Sequence, residues 1–299
     1  MIPALLATIL FAFSSVSAKR SVQYLGSNNA SLLRIILATL VLGLYAHTFG
    51  GGLRGDGLMW FIASGFIGYG ICDTAIFLTL PRLGAQLTSL MVQCLAAPIA
   101  AITEWVWHHR QLERIELLAG ACVLLGVAIA LFPGRATAKQ LHPGWGAFAL
   151  GLVAAAGQAW GAVLSAHGQQ LARVSGQPLD GITVAYQRIL AGAAFVAVWW
   201  AVMRFHQGPG TARTTKAPPS RYWPWVIANV LTGPSLGVSC YQWALQGEAT
   251  GVVLSITALT PLAVIPMSWW IDRERPTQRS IVGGVLAVAG VITFALSRN

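Results

Sequence analysis

Asp73 interrupts an apolar block, residues 58–79, that carries no other charge. A carboxylate in apolar surroundings is costly unless it faces water, a counter-charge or a ligand. Its chemistry would be to hold a substrate amine or to carry a proton. The plain alternative is a structural ion pair or a hydrogen bond between helices. Two arginines occupy matching places in the chain, Arg34 in Arg34-Ile35-Ile36-Leu37 and Arg188 in Arg188-Ile189-Leu190. A guanidinium can grip a substrate carboxylate through two parallel N–H bonds. Near the end of an apolar block it can instead lay its stem on apolar surface and send its head to the lipid headgroups. The symmetric placement near block ends favours this second use. Gln93, Gln158, Trp160, Tyr186, Tyr241 and Gln242 add neutral polar and aromatic groups within apolar blocks. They suit a cavity that binds and releases a small zwitterion, and they suit hydrogen bonds between packed helices equally well. His108, His109 and Glu113 have a minimal metal-like spacing, but they lie in a basic connection with no third ligand nearby. Cys72, Cys94, Cys122 and Cys240 lack metal-ligand spacing and read as small apolar packing residues. No Gly-x-x-x-x-Gly-Lys-[Ser/Thr] phosphate loop and no His-Glu-x-x-His occurs, so neither a cofactor nor a metal is expected.

Long apolar elements must position these residues. The 299-residue chain is 56% hydrophobic and 9% charged, against about 25% charge in a soluble domain. Its apolar residues fall in ten blocks: 2–18, 30–47, 58–79, 85–107, 114–132, 145–166, 181–203, 222–244, 249–271 and 278–296. A helix of about 20 apolar residues crosses a bilayer. Within lipid the backbone must satisfy its own hydrogen bonds, so the blocks are helices. The first block, ending in Val16-Ser17-Ala18, resembles the core and cleavage site of a signal peptide. No positive residue precedes it, and it pairs with the sixth block in the repeat described next, so it reads as a retained span. The formal charge is +10. The basic residues sit singly in short connections, without a basic patch interleaved with aromatics, which fits a membrane surface and not nucleic acid. Tryptophans at block ends, including Trp60, Trp107, Trp199 and Trp269, fit the same interface.

The second half of the chain repeats the first. Gly84 and Gly247 are 163 positions apart, and so are Pro98 and Pro261. Phe11 answers Trp160, and Gly120 and Gly126 answer Gly284 and Gly290. The halves divide near 132–145, giving five-helix units over 1–138 and 139–299. Five is odd, so the second unit must be inverted relative to the first. The expected fold is an all-α integral membrane protein of ten transmembrane helices in two inverted repeats, a plan that recurs in transporters. Pro98 and Pro261 each remove a backbone donor inside a span and are candidate hinges. Twelve Lys and Arg fall in the connections after odd-numbered spans and five in the rest. Positive-inside logic therefore puts both termini outside.

The order of short motifs is similar to that of the EamA-type drug/metabolite transporters. The first half carries Gly70-Ile71-Cys72-Asp73-Thr74-Ala75, Leu83-Gly84-Ala85-Gln86 and Ala97-Pro98. The second carries Ala244-Leu245-Gln246-Gly247, Ala258-Leu259-Thr260-Pro261 and Gly283-Gly284-Val285-Leu286. Two departures stand out. The family's aromatic-Gly pair in the opening helix is Phe11-Ala12 here, although Trp160-Gly161 is present in the second half. The acid expected before the last helix of each half is Glu274 in the second and Gln111 in the first. The resemblance implies a ten-helix exporter of amino acids or related metabolites. It implies cytoplasmic termini, against the charge count.

A secondary transporter working by alternating access is the function these features point to, in the plasma or inner membrane, as a monomer or homodimer. Its partners would be a small-molecule substrate and the lipid bilayer. An intramembrane enzyme would need a nucleophile with a base, paired carboxylates or a metal cluster, and the spans hold one mid-span acid. A scaffold or sensor would be expected to carry a sizeable soluble module.

Overall fold

A computed structural model describes residues 1–108, 114–131, 145–207, 218–247, 250–273 and 276–297. His109, Gln111, Glu113, Glu274, the junction between the halves and the middle of the long loop at 208–217 lie outside those residues. No strand occurs among the described residues.

The first two helices are α1 (Ile2–Leu25) and α2 (Ser27–Thr48). A proline in the first turn of α1 sits where its missing N–H costs nothing. Next come α3 (Leu58–Gly65), a π-helical segment (Phe66–Cys72) and α4 (Asp73–His108). At 1.5 Å per residue, α4 alone would run about 54 Å, nearly twice the ~30 Å hydrocarbon core. Gly84 breaks it, with φ 76° and ψ 175°. The break divides residues 58–108 into two helical stretches, 58–83 and 85–108, each long enough for one crossing. The first half ends with α5 (Arg114–Leu131). The second half begins with α6 (Trp145–Val174) and α7 (Gly181–Gln207). The start of α7 is capped by Asp180, whose Oδ1 accepts from the N–H groups of Ile182 and Thr183. Then α8 (Pro219–Val230), a second π segment (Leu231–Ser235) and α9 (Leu236–Gly247) stack as one crossing. Likewise α10 (Thr250–Thr257) and α11 (Thr260–Asp272) stack, before α12 (Gln278–Leu296). Five stretches have the length and hydropathy of a crossing by themselves: 2–25, 27–48, 58–100, 145–174 and 181–206. The count of ten follows when each stacked set is taken as one crossing and the shorter apolar helices α5 and α12 are added.

Small residues set the crossings, because in lipid close backbone approach replaces the hydrophobic driving force. A Cβ on Gly126 of α5 would lie 2.5 Å from Ala287 N and 2.6 Å from Gly283 O of α12. A Cβ on Gly65 would overlap the carbonyl oxygen of Arg188, so α3 and α7 touch backbone to backbone. Cys72 and Cys94 are free, buried thiols in apolar clusters.

Two expectations change here. The first helix continues seven residues past the block 2–18, through Lys19 and Arg20. Those charges do not end it because Asp272 of α11 accepts from both, at 3.0 Å from Lys19 Nζ and closer still from Arg20 Nε. Both cations thus belong to a helix and not to the connection in which the charge count placed them. The candidate hinges also differ in kind. Pro98 lies within continuous helix, whereas Pro261 stands in the first turn of α11, after the helical break at Ala258–Leu259. The irregularity that the halves share is the π segment. The two segments fall at corresponding places, since Gly70 and Gly233 are also 163 positions apart.

Candidate functional site

Between the halves lies a cavity of about 130 Å³. Helix α1, α2, the first π segment and α4 supply one wall, and α6, α7, α8, the second π segment and α9 the other. Phe11, Tyr69, Phe77, Leu80, Val92 and Tyr241 make its apolar surface. Its charged lining is Arg34, Asp73 and Arg188, a net charge of +1.

Arg34 and Arg188 are each the eighth residue of their helices, α2 and α7, about 10 Å along the helix from its start. Arg34 is 8% exposed and Asp73 5%. The Arg34 Nη1 donates to both Asp73 oxygens, at 2.6 Å each. The guanidinium also sits 5.3 Å from the centre of the Phe77 ring. Arg188, 7% exposed, is held differently. It lies 5.6 Å from the centre of the Tyr69 ring, and among the described residues neither an ion pair nor a hydrogen bond reaches its guanidinium. Both arginines thus point inward. The snorkelling expected from their places near block ends is overturned, because each head lies against a glycine of the opposite half. A Cβ on Gly233 would come within 2.9 Å of Arg34 Nη2, and one on Gly68 within 3.2 Å of Arg188 Nη2.

The remaining polar lining is short of partners. Arg34 Nε, Arg188 Nε, Thr88 Oγ1, Asn229 Nδ2 and the Tyr241 hydroxyl are buried without a hydrogen bond. Each is an N–H or O–H. Asn229 has its oxygen occupied, accepting from Ser14 Oγ at 2.8 Å. The hydroxyl of Ser89 donates to Ser15 Oγ at 2.9 Å and ties α4 to α1. Such an arrangement has few groups for bond-making chemistry and many for holding an acceptor.

The sequence pattern of the EamA-like transporter family matches residues 1–132 and again 146–296. The chain belongs to the EamA-like transporter family. It is a multi-pass membrane protein. A solved crystal structure of a protein superimposes on 99% of this chain and 96% of its own, with a TM-score of 0.63 at 17% identity, a likeness of fold alone. No curated protein matches the chain.

In this EamA-like chain the cavity gathers Asp73, Gln93, Gln158, Tyr241, Arg34 and Arg188. It does not gather three other candidates. Trp160 is 46% exposed, and its indole donates to Thr103 Oγ1 at 2.9 Å. Tyr186 packs on Gly43 and shares a 3.0 Å hydrogen bond with His47. The oxygen of Gln242 accepts from Ser165 and Gln169, which joins α6 to α9. These three lie at helix-to-helix contacts outside the cavity lining. Residues that the sequence reading passed over include Ser14, Thr88, Tyr69 and Asn229. Asn229 carried a signal, as a lone amide within an apolar stretch. The serines and threonines carried none, since such residues are tolerated in helices by bonding back to the preceding turn, as Ser15 does to Phe11 O.

Proposed function

We propose that this EamA-like chain is a secondary transporter of the cell (plasma or inner) membrane, exporting small metabolites such as amino acids or related compounds. The units 1–138 and 139–299 would rock about the cavity so that it opens to one side at a time. The observation that carries this reading is the cavity itself: partly open, with charged and polar groups set in an apolar chain, and lined by both repeats. The π segments support the motion. Such bulges loosen the helical ladder and concentrate at functional sites, and here they occur at matching places in both halves. The preference for a carrier over an intramembrane enzyme rests on Asp73. Among the described residues it is the one carboxylate of the lining, and Arg34 takes both of its oxygens. The cargo and the bilayer are the partners, and a gradient or exchange supplies the drive without a cofactor.

The test is flux in proteoliposomes preloaded with labelled amino acids, with competing solutes and with or without a pH gradient. Saturable efflux that unlabelled competitors suppress is the expected result. Absence of flux for amino acids, simple carboxylates, nucleosides and sugar derivatives alike would remove the carrier reading. Flux of Asp73→Asn that has lost a pH dependence present in the native chain would assign proton coupling to that carboxylate.

A further inference from the structure

We infer that the cargo of this cavity is a small monocarboxylate with an apolar body, bound through Arg188. The inference rests on the carrier reading for its role as cargo, but the binding site stands on geometry alone. The cavity holds two guanidiniums and one carboxylate. Asp73 is consumed by Arg34, which leaves Arg188 the uncompensated charge. A buried charge without a partner is among the most unfavourable states a side chain can occupy. The Tyr69 ring offsets part of this by its negative face, yet provides no acceptor for the five N–H groups of a guanidinium.

The neutral groups carry the same message. The cavity's buried, unpartnered polar atoms include the Nε of Arg188, the amide nitrogen of Asn229 and the hydroxyls of Thr88 and Tyr241. Each is a donor left without an acceptor in a residue that lines the cavity. The one carboxylate among the described lining residues, Asp73, is taken by Arg34, and the oxygen of Asn229 by Ser14, so the acceptors left for an ammonium are neutral, such as the amide oxygens of Gln93 and Gln158. A zwitterion therefore finds its carboxylate partner but no strong site for its amine. Phe11, Phe77, Leu80 and Val92 supply an apolar body site. The volume of about 130 Å³ compares with the ~150 Å³ of a cavity that takes up benzene.

The seats of the two arginines sharpen the argument. Each guanidinium lies against a glycine at the first or second π segment of the opposite half. The seats are alike, and only Arg34 has an acid. A bound carboxylate would give Arg188 what Asp73 gives Arg34.

The experiment is thermal unfolding of the purified full-length protein in nanodiscs, at constant sodium chloride, with acetate, benzoate and phenylacetate against their amides and against phenylalanine. Ligand that binds the folded state alone raises stability with the logarithm of its concentration once that exceeds Kd. Benzoate or phenylacetate should protect at roughly tenfold to hundredfold lower concentration than the matching amide, the range for a hydrogen-bonded charge. Arg188→Gln should erase that preference, while Arg188→Lys, which keeps the charge, should retain part of it. Asp73→Asn raises the cavity charge and should strengthen carboxylate protection. Equal protection by acid and amide, no protection by any of the three acids, a preference that survives Arg188→Gln, or stronger protection by phenylalanine would overturn the inference. Flux of neutral or zwitterionic solutes with no carboxylate preference would overturn it and leave the carrier standing. Carboxylate protection without flux would do the reverse.

Discussion

Arg34 and Arg188 should respond oppositely to removal of charge, and the structure says by how much. Asp73 and the Arg34 side chain are both more than nine-tenths buried. At a charge separation of ~4 Å and an effective dielectric of ~20, their attraction is about 4 kcal/mol. Removing one partner of a buried pair costs about 3–5 kcal/mol, because the survivor stays buried. Asp73→Asn keeps the shape and one acceptor oxygen for Arg34 Nη1, so it should fall near the lower end, ~3 kcal/mol. Asp73→Ala should reach the upper end. At ~2 °C per kcal/mol for the larger domains, these are losses of about 6 and 10 °C. Among the described residues Arg188→Gln removes no ion pair and no hydrogen bond, and its main electrostatic loss is the contact with the Tyr69 ring, about 0.5–2 kcal/mol. It also relieves an unpaired buried charge, so it should unfold at the native temperature or above. The assay is thermal unfolding of detergent-purified variants, followed by near-UV circular dichroism and read as differences. A double change, Arg34→Met with Asp73→Leu, should recover most of the single-site loss, since apolar replacement of a whole buried pair is often neutral. If Arg188→Gln fell as far as Asp73→Asn, Arg188 would have a partner and the unpaired-cation argument would fail. If the double change lost the sum of its parts, Arg34 and Asp73 would not be coupled.

Five other substitutions probe the frame and the seats. Gly84→Ala meets no atom within 4 Å but must hold φ 76° and ψ 175°, a conformation essentially reserved for glycine, so it should cost about 1–3 kcal/mol from backbone strain alone, and a loss beyond ~4 kcal/mol in an unfolding titration would mean that the turn is packed. Gly126→Val drives a side chain into the backbone of α12, so it should cost at least the ~1–3 kcal/mol of overpacking and broaden the gel-filtration peak; a native-like elution profile and melting temperature would put the α5–α12 crossing in question. Trp160→Phe loses an indole donor at an exposed contact with Thr103, for about 1 kcal/mol of stability and unchanged flux, and a loss of flux would return Trp160 to the site. Gly68→Ala places a Cβ 3.2 Å from Arg188 Nη2, while Gly233→Ala meets Ser14 Oγ at 2.5 Å and Arg34 Nη2 at 2.9 Å; the first should weaken carboxylate protection several-fold at native stability, the second should lower the melting temperature, and the opposite ranking would contradict the seating of the arginines.

The architecture was legible because apolar length and repetition are one-dimensional properties. Block ends at 58, 114, 145, 181, 278 and 296 coincide with helix ends, since a bilayer admits few ways to satisfy a backbone. The first helix was cut short because Lys19 and Arg20 read as a boundary, and only contact with Asp272, some 250 residues away, shows why they continue the helix. The same limit applies to the site. Asp73, Gln93, Gln158 and Tyr241 stood out as polar groups in apolar blocks, and they do face the cavity. Trp160, Tyr186 and Gln242 looked alike in sequence but point to neighbouring helices, because helical phase relative to a neighbour is a tertiary property. The arginines were misjudged for a related reason. Distance from a block end measures depth along the helix, but not whether the head turns to lipid or to the core.

The repeat separates what serves the scaffold from what serves the cargo. Glycines at 70 and 233 recur, π segments recur around them, and an arginine recurs as the eighth residue of α2 and α7. Duplication alone would give two buried guanidiniums facing one cavity, and like charges sharing a low-dielectric space repel. Asp73 removes one of those charges. Leu236, 163 positions on, leaves the other in place and faces outward, half exposed. A second acid beside Arg188 would have made the cavity neutral, with nothing left to attract an anion. One acid paired with one of the two arginines is the arrangement that keeps the folded core tolerable and still leaves a charge for cargo to satisfy.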